Sequence, residues 1–168
     1  MINNKASNIA KGGFLTALGF LFIYLSSYIP TNRIFILSLA GCTIIISIIV
    51  SGTKYAMLVF ASTAILSLLI TGIRITTISY LIFFGTYGFA KYYIERLNNL
   101  IYEYILKYIF FNICLGIFFL LYKLVLPSLF TLNTSIYIVA GGAQLFFIVY
   151  DYALSLFISN FKKRYLKL

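Results

Sequence analysis

The stretch KYYIERLNNLIYEYILK, from Lys91 to Lys107, decides the fold because acids and bases stand together there between long apolar runs. It holds Glu95 and Glu103, two of the three acidic residues of the chain. Its apolar residues recur at helical spacing, and Lys91/Glu95 and Glu103/Lys107 are i,i+4 pairs. The pattern predicts an amphipathic helix at a water boundary, which either joins two membrane spans or forms an interface for a partner protein.

The composition on either side of this stretch indicates a membrane protein. Of the 168 residues, 62% are hydrophobic and 10% are charged, with a mean hydropathy of +1.03, which no water-soluble core of this size could absorb. We predict an all-α fold, a single domain over residues 1–168 with six transmembrane helices. The apolar runs are Gly13 to Tyr28, Ile34 to Val50, Tyr55 to Ile70, Ile75 to Ala90, Ile105 to Leu126 and Ile136 to Asn160.

The distribution of basic residues predicts that both termini are cytoplasmic. With that orientation the outer segments hold three cations, Arg33, Arg74 and Lys123. The inner segments hold the other ten, which are Lys5, Lys11, Lys54, Lys91, Arg96, Lys107, Lys162, Lys163, Arg164 and Lys167. This positive-inside bias and attraction to anionic membrane lipids account for the net charge of +10, so we expect no nucleic-acid partner.

The first span carries a stripe of small residues. Ala6, Ala10, Gly13 and Ala17 recur at steps of 4, 3 and 4, which places them on one face of a helix. The face continues outward with aromatic residues, Phe20, Tyr24 and Tyr28. Small side chains let another helix approach closely, so the stripe predicts either internal helix packing or a docking surface for another subunit.

An acidic residue falls inside the last span. Asp151 is past the predicted midplane, where a carboxylate is energetically unfavourable and therefore faces protein or water. Antiparallel alignment of spans five and six places Asn112 opposite it, so we predict that the two form an intramembrane polar pair. Its role is either to hold the two helices together or to take part in coupling or ligand binding.

Motifs for catalysis and cofactor binding are absent from the sequence. The chain has no histidine and no G-x-x-x-x-G-K-[ST] motif, and Cys42 and Cys114 each stand alone in an apolar run. No cluster of cysteines or carboxylates has metal-ligand spacing. We therefore expect no enzyme activity, no metal and no cofactor.

The opening AKGGFLTALGFLFIYLSSYIP (residues 10–30), the short hairpins, the six-span plan and the basic end resemble the substrate-binding S-components of energy-coupling factor transporters. The abundance of Ile, Asn, Lys, Tyr and Phe suggests an AT-rich bacterial genome, so we expect a multi-pass protein of the bacterial cytoplasmic membrane. The resemblance implies that an Ala-x-x-x-Ala type seam, here Ala6/Ala10 or Gly13/Ala17, docks on a transmembrane coupling subunit, while separate ATPases supply energy.

The resemblance also implies that a small vitamin-like substrate binds in the outer half of the bundle. Aromatic rings there can stack on a planar ligand, amides and hydroxyls can orient it, and a cation can neutralise a carboxylate or phosphate. The candidate ligand-binding residues are Asn32, Arg33, Arg74, Thr77, Tyr80, Lys123, Asn133, Tyr137 and Gln144. The alternative is a membrane adaptor of the cell-shape or cell-wall machinery, which binds no ligand and works through the Lys91–Lys107 stretch and the basic tail.

Overall fold

The computed structural model describes residues 2–97, 99–125 and 136–165, with side chains for residues 5–97, 99–121 and 141–164. All regular secondary structure in these ranges is helical, which confirms the predicted all-α fold. A π-helical turn (Tyr80–Phe84) and a 3-10 turn (Glu95–Leu97) precede and follow the fifth helix. In chain order the helices are α1 (Ile2–Tyr28), α2 (Arg33–Ser51), α3 (Thr53–Thr71), α4 (Ile75–Ser79), α5 (Gly85–Ile94), α6 (Leu100–Val125) and α7 (Ile136–Tyr165).

Five stretches of the described chain are long and apolar enough to cross a membrane, so the chain is a multi-pass membrane protein. The shortest has 19 residues, and at about 1.5 Å per residue it nearly matches a hydrocarbon core of about 30 Å. The predicted span 75–90 falls on α4, the π turn and α5, so six crossings and their orientation stay predictions. The five stretches are Lys5–Tyr28, Arg33–Ser51, Thr53–Thr71, Leu100–Leu121 and Gly141–Arg164.

The chain divides into two compact units, Met1–Cys114 and Leu115–Leu168, and α6 contributes to both. The second unit contains α7, where rings one helical turn apart stack on each other. Phe146 and Tyr150 have ring centroids 5.8 Å apart. The predicted single domain stays a prediction.

The hairpins of the first unit depend on two glycines with positive φ. Gly52, between α2 and α3, has φ +89°, and Gly72, after α3, has φ +73°. Both values lie in the left-handed region, which residues with a Cβ atom rarely adopt. The Gly52 N–H donates to the Ile48 carbonyl at 3.1 Å, and its carbonyl accepts from the Ala56 N–H at 3.1 Å, so one residue ends α2 and begins α3.

The buried face of α1 differs from the predicted stripe of small residues. Gly12, Leu15, Gly19, Ile23 and Ser26 follow one another at helical spacing and are buried against the neighbouring helices. A Cβ atom on Gly19 would lie 3.0 Å from Thr43 Oγ1 and 3.4 Å from Thr63 Cγ2. Glycine is therefore needed where α1 approaches both α2 and α3.

The π turn between α4 and α5 changes the backbone hydrogen-bond pattern of the helix. The Gly85 N–H donates to the Tyr80 carbonyl, five residues back, instead of four. The Phe60 ring of α3 covers this site, and a Cβ atom on Gly85 would lie only 2.4 Å from Phe60 Cε2. The π turn and the aromatic side chain of α3 thus fit together because residue 85 has no side chain.

The prediction of one amphipathic helix from Lys91 to Lys107 is wrong, because the stretch forms a turn between two helices. The 3-10 turn follows α5 directly, and α6 begins at Leu100. The Asn99 carbonyl accepts the N–H of Glu103 at 3.0 Å, as a residue at a helix start does. Asparagine competes with helical backbone bonds and favours such starts, whereas the apolar spacing continues unchanged across the turn.

Candidate functional site

A polar cluster joins α1 to α4 at their predicted outer ends. The Arg74 guanidinium carbon lies 5.0 Å from the ring centroid of Tyr28, a cation–π contact worth about 0.5–1 kcal/mol at an exposed site. Arg74 also donates to the Ser27 carbonyl at 3.4 Å, and the hydroxyls of Ser27 and Thr76 are 2.7 Å apart. Arg74 is one of the predicted ligand-binding residues. Its side chain is exposed, and its contacts with α1 hold it in place.

Buried hydroxyls continue from this cluster into the first unit. Thr71 and Thr77 lie 3.0 Å apart through their hydroxyl oxygens, and Thr71 also donates to the Ser67 carbonyl. Thr77 and Tyr80, both predicted to bind ligand, are fully buried. The Tyr80 hydroxyl lies beside the Thr63 hydroxyl. Within the described residues, neither of these two oxygens makes a well-formed hydrogen bond.

We expect Tyr80→Phe to leave the stability unchanged or to increase it. Removing a buried hydroxyl that makes no good hydrogen bond removes its desolvation penalty, which is about 1–3 kcal/mol. Thr77→Val, in contrast, should lower the free energy of unfolding by about 1 kcal/mol, because the hydrogen bond between the Thr77 and Thr71 hydroxyls is lost while Thr71 keeps its bond to the Ser67 carbonyl. Unfolding by sodium dodecyl sulfate in mixed micelles measures both, and an equal loss for Tyr80→Phe would contradict the interpretation of the Tyr80 hydroxyl.

The other predicted ligand-binding residues are spread over the chain. Asn32 is exposed directly before α2, and Arg33 is exposed while its backbone carbonyl accepts the Ser26 hydroxyl at 3.1 Å. Gln144 is half-buried on α7, in the second unit. The side chains of Lys123 and Tyr137 and the whole of Asn133 lie outside the described residues. Binding of a ligand by this set stays a prediction.

A cavity in the described part of the chain lies elsewhere, in a groove between the N-terminal halves of α1 and α3. Its volume is about 350 Å³, and it is open to the surface. The sequence analysis missed it, because a groove between two helices depends on their register. The lining residues are Asn8, Ile9, Gly12, Gly13, Thr16, Tyr55, Leu58, Val59 and Ser62.

The predicted small-residue stripe of α1 is on the surface. Ala6, Ala10, Gly13 and Ala17 are all exposed, and a Cβ atom on Gly13 would meet nothing within 4 Å. The aromatic continuation is ordered, with ring centroids 6.0 Å apart for Phe20–Tyr24 and 4.7 Å apart for Tyr24–Tyr28. The buried glycines of α1 belong to the separate face described above, and the choice between internal packing and docking for this stripe stays a prediction.

An ion-pair cluster lies where α5 and α6 meet. Glu95 Oε1 is 3.0 Å from Lys91 Nζ and 2.9 Å from Lys107 Nζ. The predicted ion pair between Lys91 and Glu95 is confirmed. The spacing predicts that Lys107 pairs with Glu103, but Lys107 forms its ion pair with Glu95. The two lysine side chains are only 1% and 6% exposed, so the carboxylate stabilises two buried cations.

The predicted pair of Asn112 and Asp151 belongs to two different units and stays a prediction. Asn112 is exposed, and its Nδ2 donates to the Tyr108 carbonyl at 2.8 Å. Asp151 is buried, and its backbone carbonyl accepts the Ser155 hydroxyl at 3.0 Å. Within the described ranges, no three residues of the types His, Cys, Asp and Glu come together as a metal site.

Comparison with known proteins finds no family model that matches the chain, and no curated protein or solved structure with significant similarity to it.

Proposed function

We propose that the chain is the substrate-binding membrane subunit of an uptake transporter of the energy-coupling factor type, in the bacterial cytoplasmic membrane. The observation that carries the proposal is the exposure of all four small residues of α1, Ala6, Ala10, Gly13 and Ala17. Exposed small residues let the backbone of another helix come close, and van der Waals contact over such a seam drives association in a membrane. The partner is a transmembrane coupling subunit.

The division of labour in such a transporter fits the chemistry of the sequence. The chain contains no phosphate-binding loop, so the energy comes from ATPase subunits that join through the coupling subunit. The chain itself supplies the substrate site and a docking face for its partner.

The substrate of the proposed transporter is a small vitamin-like molecule with a planar ring and a negatively charged group. Arg33 and Arg74 are exposed at the predicted outer ends of α2 and α4 and can neutralise a carboxylate or phosphate. Tyr28, already in contact with Arg74, offers a ring for stacking. The amide of Asn32 lies beside Arg33 in the sequence and can orient the ligand.

Leucine at Gly13 and at Ala17 should prevent assembly with the coupling subunit and leave the isolated chain folded. Both positions are exposed, and a side chain on residue 13 has open space in the described structure. The larger side chains keep the partner helix at a distance, so most of the contact is lost. Co-purification of the identified coupling subunit from the same membranes measures the effect.

Gly19→Leu is the matched control, because Gly19 lies on the buried face of α1 and its Cβ would contact Thr43. It should lower the unfolding temperature in detergent, whereas Gly13→Leu and Ala17→Leu should not. Loss of folding in all three variants would mean that the stripe serves internal packing, which would refute the docking proposal.

A second candidate function is a membrane adaptor for cell-shape or cell-wall proteins, with the turn between α5 and α6 as its working surface. The observation that favours it is a group of large apolar side chains that are exposed around this turn. Exposed apolar patches of this kind mark protein or membrane interaction sites. The residues are Tyr92, Tyr93, Leu97, Leu100, Ile101 and Tyr104.

Mass spectrometry of small molecules released from the purified, denatured chain distinguishes the two functions. A co-purified metabolite in stoichiometric amount supports the substrate-binding subunit. Repeated preparations without such a metabolite, together with cross-linking of the α5–α6 turn to identified cell-wall enzymes, would support the adaptor.

A further inference from the structure

The groove between α1 and α3 combines an apolar wall with polar groups. Ile9 and Leu58 form its rim and are 64% and 63% exposed, and Val59 lies at its base, only 2% exposed. Thr16 and Ser62 add hydroxyls to the lining. The groove is open to the surface, and both helices that form it are long and apolar enough to cross a membrane.

The register of the two helices brings positive charge to one end of this groove. A Cβ atom on Gly12 would lie 3.5 Å from Val59 Cγ2, and α1 and α3 run in the same direction. Seven residues, or about two turns, before this contact the chain reaches Lys5 on α1 and Gly52 at the start of α3. By this register Lys5 is about level with Gly52, and Lys54 follows two residues later, in the first turn of α3.

The start of α3 adds a partial positive charge at the same level. No side chain caps this helix, whose N-cap residue is Gly52. The first N–H groups of a helix lack intrahelical partners and favour an anion nearby. Lys5 and Lys54 are exposed, and Lys5 shares the helical face of Asn8, Ile9 and Gly12, which line the groove.

We infer that this groove binds one anionic phospholipid of the surrounding membrane. The phosphate contacts Lys5, Lys54 and the start of α3, and an acyl chain lies along the apolar wall. A soluble anion uses only the charged end and leaves Leu58 and Ile9 uncovered, whereas a phospholipid matches both the charge and the apolar wall. The site overlaps the exposed stripe of the proposed function only at Gly13.

A single tryptophan in the groove tests the proposal, since the chain has none of its own. Leu58→Trp places the fluorophore on the rim, and Met57→Trp places it on the neighbouring residue, which is 68% exposed and does not line the groove. Quenching is measured in vesicles that contain equal mole fractions of brominated phosphatidylglycerol or brominated phosphatidylcholine. We expect phosphatidylglycerol to quench residue 58 preferentially and both lipids to quench residue 57 equally.

The lysines provide the second arm of the test. In the Leu58→Trp background, Lys5→Gln and Lys54→Gln should each reduce the preference for phosphatidylglycerol, by roughly fivefold for each lysine. Lys11→Gln is the matched control, because Lys11 lies on another face of α1 and should leave the preference unchanged. Ile9→Trp repeats the measurement from the opposite wall, so that the result does not depend on one substituted side chain.

Three results would overturn the inference. Equal quenching of residues 9 and 58 by the two lipids would mean that the groove does not select a charged headgroup. An equal loss in Lys11→Gln would assign the preference to general surface charge. Relief of quenching by inorganic phosphate in solution would assign the site to a free anion instead of a lipid.

Discussion

Replacing Glu95 with glutamine is expected to lower the free energy of unfolding by about 2 kcal/mol, less than the loss found when one partner of a fully buried ion pair is removed, because the Glu95 side chain is 32% exposed. The carboxylate Oε1 lies within 3.0 Å of both Lys91 and Lys107. Glutamine keeps the size of the side chain but removes the charge that stabilises two buried ammonium groups. Unfolding in mixed micelles of detergent and sodium dodecyl sulfate measures the loss.

Glu103→Gln is the matched control for this prediction. Glu103 is in the first turn of α6. There a carboxylate stabilises the helix through its dipole, typically by about 0.3–1 kcal/mol. A much smaller loss is therefore expected. Combining Glu95→Gln with Lys107→Met should recover part of the stability, because one buried cation is removed as well. Equal losses for the two glutamate variants would contradict the structural role of Glu95.

Gly85→Ala is expected to destabilise the chain by about 3 kcal/mol, at the upper end of the cost of overpacking a well-packed interior. The new Cβ atom would lie 2.4 Å and 2.7 Å from two atoms of the Phe60 ring and 3.1 Å from the Tyr80 carbonyl oxygen. Moving the half-buried Phe60 ring would disturb its contacts with the Tyr80 and Phe89 rings, whose centroids lie 5.9 Å and 6.2 Å away. The midpoint of thermal unfolding in detergent reports the change.

Gly116→Ala serves as the control for Gly85→Ala, because a Cβ atom on Gly116 meets nothing within 4 Å. Alanine is the better helix former by about 1 kcal/mol, so this variant should be neutral or more stable. Phe60→Leu should restore part of the stability lost in Gly85→Ala by making room for the methyl group. If Gly85→Ala unfolds at the same temperature as the unmodified chain, the close fit of α3 to the π turn is incorrect.

Composition and apolar spacing were sufficient to predict the helical class and the approximate position of the long helices. The ends of α2 and α3 are marked in the sequence by Gly52 and Gly72, because both adopt backbone angles that other residues avoid. The Lys91–Glu95 pair was also predictable, since residues four apart on a helix are neighbours whatever the rest of the fold does.

Features that depend on tertiary contact were not predictable from one sequence. Two faces of α1 carry small residues at helical spacing, and the period does not distinguish the buried Gly12 and Gly19 from the exposed Ala10 and Ala17. The contact of Lys107 with Glu95 joins two helices across a turn, and the local spacing of apolar residues does not indicate that turn. For the same reason the sequence did not indicate the groove between α1 and α3. The candidate ligand-binding residues were chosen by residue type, and their role stays a prediction.

The shared carboxylate of Glu95 also has a consequence for the order in which contacts form during synthesis. Lys91 meets Glu95 within the same helical region, but Lys107 reaches it only after α6 has been made. A buried ammonium group is stabilised by a nearby carboxylate. We therefore expect the contact between α5 and α6 to form only after the first turns of α6 have been synthesised, when Glu95 can bind both lysines.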